Sequence, residues 1–261
     1  MEVLANLTSL KFLNLSKSDI EGPGTLSALT ALTQLTYLSL PYIALQATPS
    51  DPDVAAVTAS SQLVELIIHD TYLTADTCKH LFPAGRQLLQ LTQLCASLDL
   101  IHDGREATRV AACCPNLECI ILTPHIDYGW WEQEDDVVAG DLASMLGRLQ
   151  HLQHLTRLTI DLHDLPMLPG VWQALARLTQ LRELKVNIND LRFLAGALNL
   201  TDCTRLQSLC IEASSTEGMM ERVCLDVTGE EVRAGGLQVG FFYFKSCACL
   251  SCTDLPAILL S

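Results

Sequence analysis

The chain has 261 residues, of which 49% are hydrophobic and 18% are charged, and its formal net charge is −14. This composition supports a sizeable core and excludes a disordered chain. The negative charge argues against nucleic acids and anionic membrane surfaces as ligands, so we expect neutral or basic protein partners. An acidic surface also has an ordinary explanation, because surface charge serves solubility.

One leucine spacing recurs along the chain, and it is clearest in the stretch LTQLRELKVNINDL at residues 178–191. Apolar and polar residues alternate around Leu184 and Val186, which predicts a short strand with one buried face. Leucines recur every third residue just upstream, which predicts a helix or 3₁₀ turn, at Leu175, Leu178 and Leu181. A single unit of this kind cannot bury its own apolar face, so several copies must stack.

We count eight copies of this unit. The separations between their anchoring leucines run from 23 to 38 residues, and the longest imply insertions. No polar capping segment precedes the first copy, so we expect either an exposed first repeat or a longer parent chain. The anchors are Leu10, Leu35, Leu63, Leu94, Leu117, Leu155, Leu181 and Leu206.

In the N-terminal half, a turn at residues 22–24 precedes the second copy, and a proline-rich loop at residues 48–53 precedes the third. The fourth copy is irregular. Its anchor Leu94 leads to Leu98 and Leu100 with one extra residue, which predicts a β-bulge.

In the C-terminal half, an acidic insertion at residues 124–136 is followed by a predicted helix from about Val137 to Leu149. The leucine pattern stops after Ser215. Alternating apolar residues at 223–227 and 237–243 then predict a β-hairpin that caps the last repeat. We therefore divide the chain into a solenoid at residues 1–216 and a non-repeat segment at residues 217–261.

Residues 4 to about 216 resemble the leucine-rich-repeat superfamily. LTQL at 32–35, 91–94 and 178–181 looks like plant-type repeats, whereas CPNLECIIL at 114–122 is similar to the cysteine-containing repeats of F-box receptors. The resemblance implies an α/β solenoid of about eight repeats, with a curved parallel sheet on the concave face and helices or 3₁₀ turns on the convex face. Only Asn189 matches the family's asparagine position, so we expect uneven loops.

Two groups of residues raise the question of a metal site. Histidines and aspartates follow four predicted strands, and three thiols lie together in CACLSC at 247–252. We interpret the first group as turn-capping residues and the second as lacking a fourth ligand, so we predict no metal and no other cofactor. The histidine and aspartate pairs are His69-Asp70, His102-Asp103, His125 with Asp127, and His163-Asp164.

The chain has 11 cysteines, an odd number, and those in the repeats stand at or beside apolar positions. We therefore expect free thiols that act as small hydrophobic groups in a reducing compartment. No nucleophile motif, phosphate loop or dinucleotide fingerprint is present, so we do not expect an enzyme. No apolar run is long enough for a membrane span.

These features favour a non-enzymatic scaffold that binds protein through its concave face. The resemblance implies a cytoplasmic interaction platform, including a role in cytoskeletal or axonemal complexes. Two alternatives remain: the substrate-recognition part of an F-box-type ubiquitin ligase receptor, and a fragment of an extracellular receptor with leucine-rich repeats.

The binding residues should alternate with the buried residues of each strand, because successive side chains of a strand point to opposite faces. A rival site is the insertion carrying Trp130 and Trp131, since tryptophan is enriched at binding hot spots. The predicted face consists of Phe12, Tyr37, Glu65, Ile67, His69, Ile121, Arg157, Thr159, Asp161, Glu183, Lys185 and Asn187.

Overall fold

A computed structural model describes residues 2–16, 26–40, 52–73, 75–98, 105–123, 135–162, 169–188, 200, 202–214 and 220–226. Within these residues the chain is an α/β protein with one sheet, whose strand order follows the order of the chain. The first eight strands are parallel and the ninth is antiparallel to the eighth. The strands are β1 Phe12–Asn14, β2 Tyr37–Ser39, β3 Glu65–Leu73, β4 Gln93–Leu98, β5 Cys119–Leu122, β6 Arg157–Leu162, β7 Glu183–Ile188, β8 Ser208–Ser214 and β9 Met220–Asp226.

Helical segments alternate with the parallel strands, as a parallel sheet requires, because each strand must return to the same end before the next begins. The helices are α1 Glu2–Ala5, a 3₁₀ helix Leu26–Ala31, α2 Pro52–Val57, α3 Ala75–Leu81, α4 Arg105–Cys113, α5 Asp135–Leu149 and α6 Pro169–Ala176. The predicted α/β arrangement of stacked units is therefore present, and the helix predicted at 137–149 is confirmed as α5.

The hydrogen bonds that connect neighbouring parallel strands follow one recurring arrangement. At each step from β1 to β8, one carbonyl oxygen just before a strand accepts two consecutive amides of the next repeat. The Lys11 carbonyl, for example, accepts the N–H groups of Thr36 and Tyr37, at 2.8 and 3.0 Å. The same arrangement recurs at the C-terminal end, where the Arg182 carbonyl accepts the amides of Gln207 and Ser208. This recurrence fixes the register of the sheet.

The three-residue leucine spacing is confirmed as a 3₁₀-type turn. The Leu178 amide donates to the Leu175 carbonyl, and the Leu181 amide donates to the Leu178 carbonyl, at 3.0 and 3.1 Å. Such i to i+3 bonds place every third side chain on one face. All three leucines are fully buried, so the turn delivers its apolar face to the core just before strand β7 begins.

Alternation along the strands divides the sheet into two faces. In β6 the buried residues Leu158, Ile160 and Leu162 alternate with partly exposed residues, and β7 repeats the pattern with Leu184, Val186 and Ile188. The buried residues of all repeats form one continuous apolar cluster between the strands and the helical segments. We call the opposite side of the sheet the outward face.

The register corrects our prediction for the fourth copy. Leu94 pairs with Leu66 of β3 and with Ile120 of β5, so it is the first inward strand residue and not the anchor. The anchor is Leu91, and Ala96 takes the second inward position. The tetrapeptide LTQL was misleading because L-x-x-L occurs twice in several repeats, as in Leu88, Leu91 and Leu94. The predicted bulge is absent from β4, and the register instead shifts in β3 between Ile68 and Tyr72.

Two other boundaries differ from the prediction. The loop predicted at 48–53 ends earlier, because helix α2 begins at Pro52. Proline favours the first turn of a helix, where its missing N–H costs no hydrogen bond. Residues 223–226 of the predicted hairpin belong to β9, which pairs with β8, whereas residues 237–243 lie outside the described part of the chain. None of the described helices is long and apolar enough to cross a membrane.

Candidate functional site

The register aligns the outward side chains in columns that run across the sheet, as parallel in-register strands require. The first column consists of Phe12, Tyr37, Glu65, Gln93, Cys119, Arg157, Glu183 and Ser208. The second consists of Asn14, Ser39, Ile67, Cys95, Ile121, Thr159, Lys185 and Cys210. A shorter third column contains Asp161, Asn187 and Glu212.

The predicted face is thus brought together, apart from one residue. Eleven of its twelve residues occupy these columns. His69 does not extend them, because it falls in the irregular stretch of β3 between Ile68 and Tyr72. The rival residues Trp130 and Trp131 lie outside the described residues, as do His102, His125 and His163.

Aromatic side chains occupy the N-terminal end of the first column. The rings of Phe12 and Tyr37 are stacked, with centroids 4.1 Å apart and planes inclined by 9°. Phe12 nevertheless remains 59% exposed, the largest exposure among the large hydrophobic residues of the described chain. Tyr37 covers one face of the Phe12 ring. Because β1 is the outermost strand of the described sheet, no described strand lies on the side of the other face.

Apolar side chains occupy the middle of the second column. Ile67 is partly exposed, Cys95 is buried, and Ile121 is 36% exposed. These three residues are consecutive across β3, β4 and β5. Ile67 and Ile121 leave apolar surface on either side of the buried Cys95, and we call the three residues the apolar strip. Apolar centres of this kind carry much of the binding energy in protein interfaces.

Charged side chains dominate the C-terminal end of the face. The Lys185 Nζ lies 2.8 Å from Oε2 of Glu212. Arg157 and Glu183 stand opposite each other in the first column, yet neither forms an ion pair or side-chain hydrogen bond within the described residues. The Oδ1 atom of Asn187 is buried and has no hydrogen-bond partner among the residues that the structure describes.

Cys119 lies between the apolar strip and the charges, but it is not an activated nucleophile. Burial raises the pKa of its thiol, and the carboxylates of Glu183, Glu65 and Glu118 raise it further, against the opposing effect of the Arg157 guanidinium. A reactive cysteine requires the reverse, a thiolate stabilised by nearby positive charge. The surroundings of Cys119 therefore do not favour the thiolate form.

Six described cysteines follow our prediction of free thiols, and Cys210 does not. Cys210 is part of a disulfide, which corrects the expectation that the thiols are free. No sequence pattern indicated this bond, since Cys210 stands in a repeat as the free cysteines Cys95, Cys119 and Cys203 do. The cysteines of the described residues that carry free thiols are Cys78, Cys95, Cys113, Cys114, Cys119 and Cys203.

Sequence reasoning missed several residues of the columns. Gln93 and Cys95 were lost because the fourth copy was placed out of phase. The spacing Leu88, Leu91, Leu94, Ala96 would have revealed them, had alanine been accepted at an inward position.

Comparison of the chain with protein-family models and with curated protein sequences finds no match.

Proposed function

We propose that the chain is a non-enzymatic scaffold that binds another protein through the outward face. On this proposal its units are leucine-rich repeats, and the outward face is the concave side of the solenoid. The observation that carries the proposal is the combination of exposed apolar side chains and unpaired charges in two adjacent columns. Phe12 and Ile121 supply apolar surface, while Arg157 and Glu183 supply charges that have no ion-pair partner among the described residues.

The chemistry of the columns supports a neutral or basic partner. Four carboxylates stand in them, at Glu65, Asp161, Glu183 and Glu212, against the two cations Arg157 and Lys185. The net charge of −14 adds a long-range attraction for a basic surface, and such attraction chiefly raises association rates. The apolar strip would then supply the contact that slows dissociation.

The test compares two double variants and one single variant of the tagged full-length chain in affinity capture. Tyr37→Ala with Arg157→Ala alters the outward face, Trp130→Ala with Trp131→Ala alters the rival insertion, and Gln153→Ala alters an exposed loop residue as a control. We expect the first pair to lose the partner that the other two retain. Retention by the first pair and loss by the tryptophan pair, with circular dichroism unchanged, would contradict the proposal.

We also propose a cytoplasmic location, which six free thiols support. The disulfide of Cys210 favours the alternative of an extracellular receptor fragment, because such bonds persist in oxidising compartments. Alkylation of the native protein in freshly broken cells, followed by mass spectrometry, decides between them. Alkylation of Cys210 would support the cytoplasmic location, and a second disulfide among the remaining cysteines would contradict that location.

A further inference from the structure

We propose that the edge of β1 is a second interaction site, which takes an extended segment of another protein as an added strand. This proposal does not rest on the function proposed for the outward face. It commits to a segment with a planar side chain against Phe12 and an apolar side chain beside Leu13. A second copy of the chain is an alternative occupant that the experiment excludes or finds.

The backbone of β1 supplies the first argument. Its bonds toward β2 involve alternate residues: the Lys11 carbonyl accepts amides of the second repeat, and the Leu15 amide donates to the Ser39 carbonyl. In a parallel ladder the intervening residue Leu13 bonds to the same side, so the N–H and C=O groups of Phe12 and Asn14 point away from β2. No strand of the described chain lies beyond them. These groups match the bonding pattern of an extended chain.

The Phe12 ring supplies the second, independent argument. Tyr37, in register on β2, stacks on one face of this ring at 4.1 Å between centroids. Neighbouring strands lie about 4.8 Å apart, so a strand added to β1 would place its own side chain at a similar distance from the other face. A ring or a guanidinium there would extend the stack, and the acidic chain favours the guanidinium.

The opposite side of the edge carries apolar surface as well. Leu7 is 43% exposed, and Leu10 and Leu15 are only partly buried against the core. The residue of the added strand that pairs with Leu13 would point toward these side chains, because alternate residues of a strand face opposite sides. The occupant is therefore defined by a planar residue followed by an apolar one in an extended segment.

The probe is a peptide with the sequence of residues 33–40, TQLTYLSL, flanked by two lysines at each end for solubility. This segment contains β2, the strand that pairs naturally with β1 and carries the stacked Tyr37. Binding is measured by fluorescence anisotropy with the full chain. A second peptide with serine at the tyrosine position is the matched control, and we expect it to bind about 2- to 10-fold more weakly, the value of one aromatic pair.

Two variants at one position separate backbone pairing from other effects. Asn14→Pro removes the outward N–H, whereas the bonds of Leu13 and Leu15 to β2 are kept, and proline is tolerated on an edge strand. Asn14→Ala keeps the N–H and removes only the side chain, whose Oδ1 accepts the Ser16 amide at 2.8 Å. We expect Asn14→Pro to weaken peptide binding at least tenfold and Asn14→Ala to leave it within about twofold.

Three results would overturn the proposal. Equal binding by Asn14→Pro and the parent chain would show that the edge is not used, and equal binding of both peptides would remove the stacking argument. Sedimentation velocity on the chain alone is the third measurement. A dimer that Asn14→Pro dissociates would make a second copy the occupant. We expect Arg157→Ala to leave peptide binding unchanged, and this result separates the β1 edge from the outward face.

Discussion

The two ends of the sheet are covered differently. At the N-terminal end, β1 has three residues, its Phe12 ring is more than half exposed, and no described strand lies beyond it. At the C-terminal end, β8 is covered by the antiparallel strand β9 over seven residue pairs. The Lys185–Glu212 ion pair and the disulfide of Cys210 lie at this second end.

The direction of β9 distinguishes the two ends of the sheet. A reversed strand pairs with β8 but does not continue the parallel series of repeats, and β9 is itself the outermost described strand at that end. The β1 end has no such strand within the described residues. Its outermost described strand is a member of the parallel series and carries the exposed Phe12 ring.

The largest expected effect comes from the apolar core. Leu184→Ala should lower the free energy of unfolding by about 2–5 kcal/mol, because it leaves a void among packed side chains that cannot collapse. Leu13→Ala at the β1 end should cost no more than about 2 kcal/mol, since the site is already 8% exposed and has a neighbouring strand on one side only. Urea melts of both variants measure the two losses.

A smaller loss for Leu184→Ala than for Leu13→Ala would contradict this comparison. It would mean that the β1 end is packed as tightly as the inner repeats. Leu184→Met serves as the control, because a swap that conserves volume costs less than about 1.5 kcal/mol in most cores.

Much of the fold could be predicted because leucine spacing and strand alternation are direct consequences of the burial of one face. The repeats with leucine or isoleucine at the inward positions were placed in register, and so were their outward residues, such as Arg157 and Glu183. The fourth copy was misplaced because Ala96, although fully buried, carries little of the apolar pattern. Leucine spacing alone does not fix the phase of a repeat when the three-residue interval occurs more than once within that repeat.

The contacts of the outward face could not be predicted. The stack of Phe12 on Tyr37 and the pair of Lys185 with Glu212 depend on side-chain conformations across strands that are about 25 residues apart in the chain. Likewise, the disulfide of Cys210 depends on which strand covers β8, and β9 belongs to a segment without the leucine pattern.

The second prediction concerns a buried hydroxyl that joins the second and third repeats. The Ser60 Oγ lies 3.0 Å from the Thr33 carbonyl and 2.8 Å from the Leu35 carbonyl. Ser60→Ala should cost about 1–3 kcal/mol, because buried carbonyl oxygens lose their donor. Ser60→Cys, which restores a weak donor, should recover part of the loss. Equal urea midpoints for alanine and parent chains would show that the hydroxyl does not join these repeats.

The third prediction concerns Cys203, which takes the place of Ser60 near the C-terminal end. Its thiol lies near three carbonyls of the preceding repeat, and burial raises its pKa from 9.0 to about 11, with Asp202 adding to the effect. The folded state thus favours the neutral thiol, so its contribution is complete below pH 9 and is lost as the pH rises through about 11.

Melts at several pH values, with Cys203→Ser beside the parent chain, measure this contribution. The serine variant keeps a donor but does not titrate in this range, so we expect a shallower decline of its stability between pH 9 and 11. Parallel declines of the two proteins would show that the Cys203 thiol does not govern the pH dependence.

The smallest expected effect concerns the ion pair at the C-terminal end of the sheet. Lys185 and Glu212 have side chains that are 38% and 14% exposed, whereas Lys79 and Asp76, paired at 2.5 Å within α3, are 54% and 52% exposed. A double-mutant cycle with Lys185→Met and Glu212→Gln should give a coupling of about 0.5–1 kcal/mol, and the same cycle on the helical pair about 0.2–0.5 kcal/mol. Water screens the more exposed charges more strongly, and two long side chains lose entropy in each pair. Repeating both cycles in concentrated salt should reduce the helical coupling by the larger fraction. If the two couplings are equal, the lower exposure of Lys185 and Glu212 does not strengthen their pair, and a coupling of zero would show that the pair does not stabilise the junction of β7 with β8.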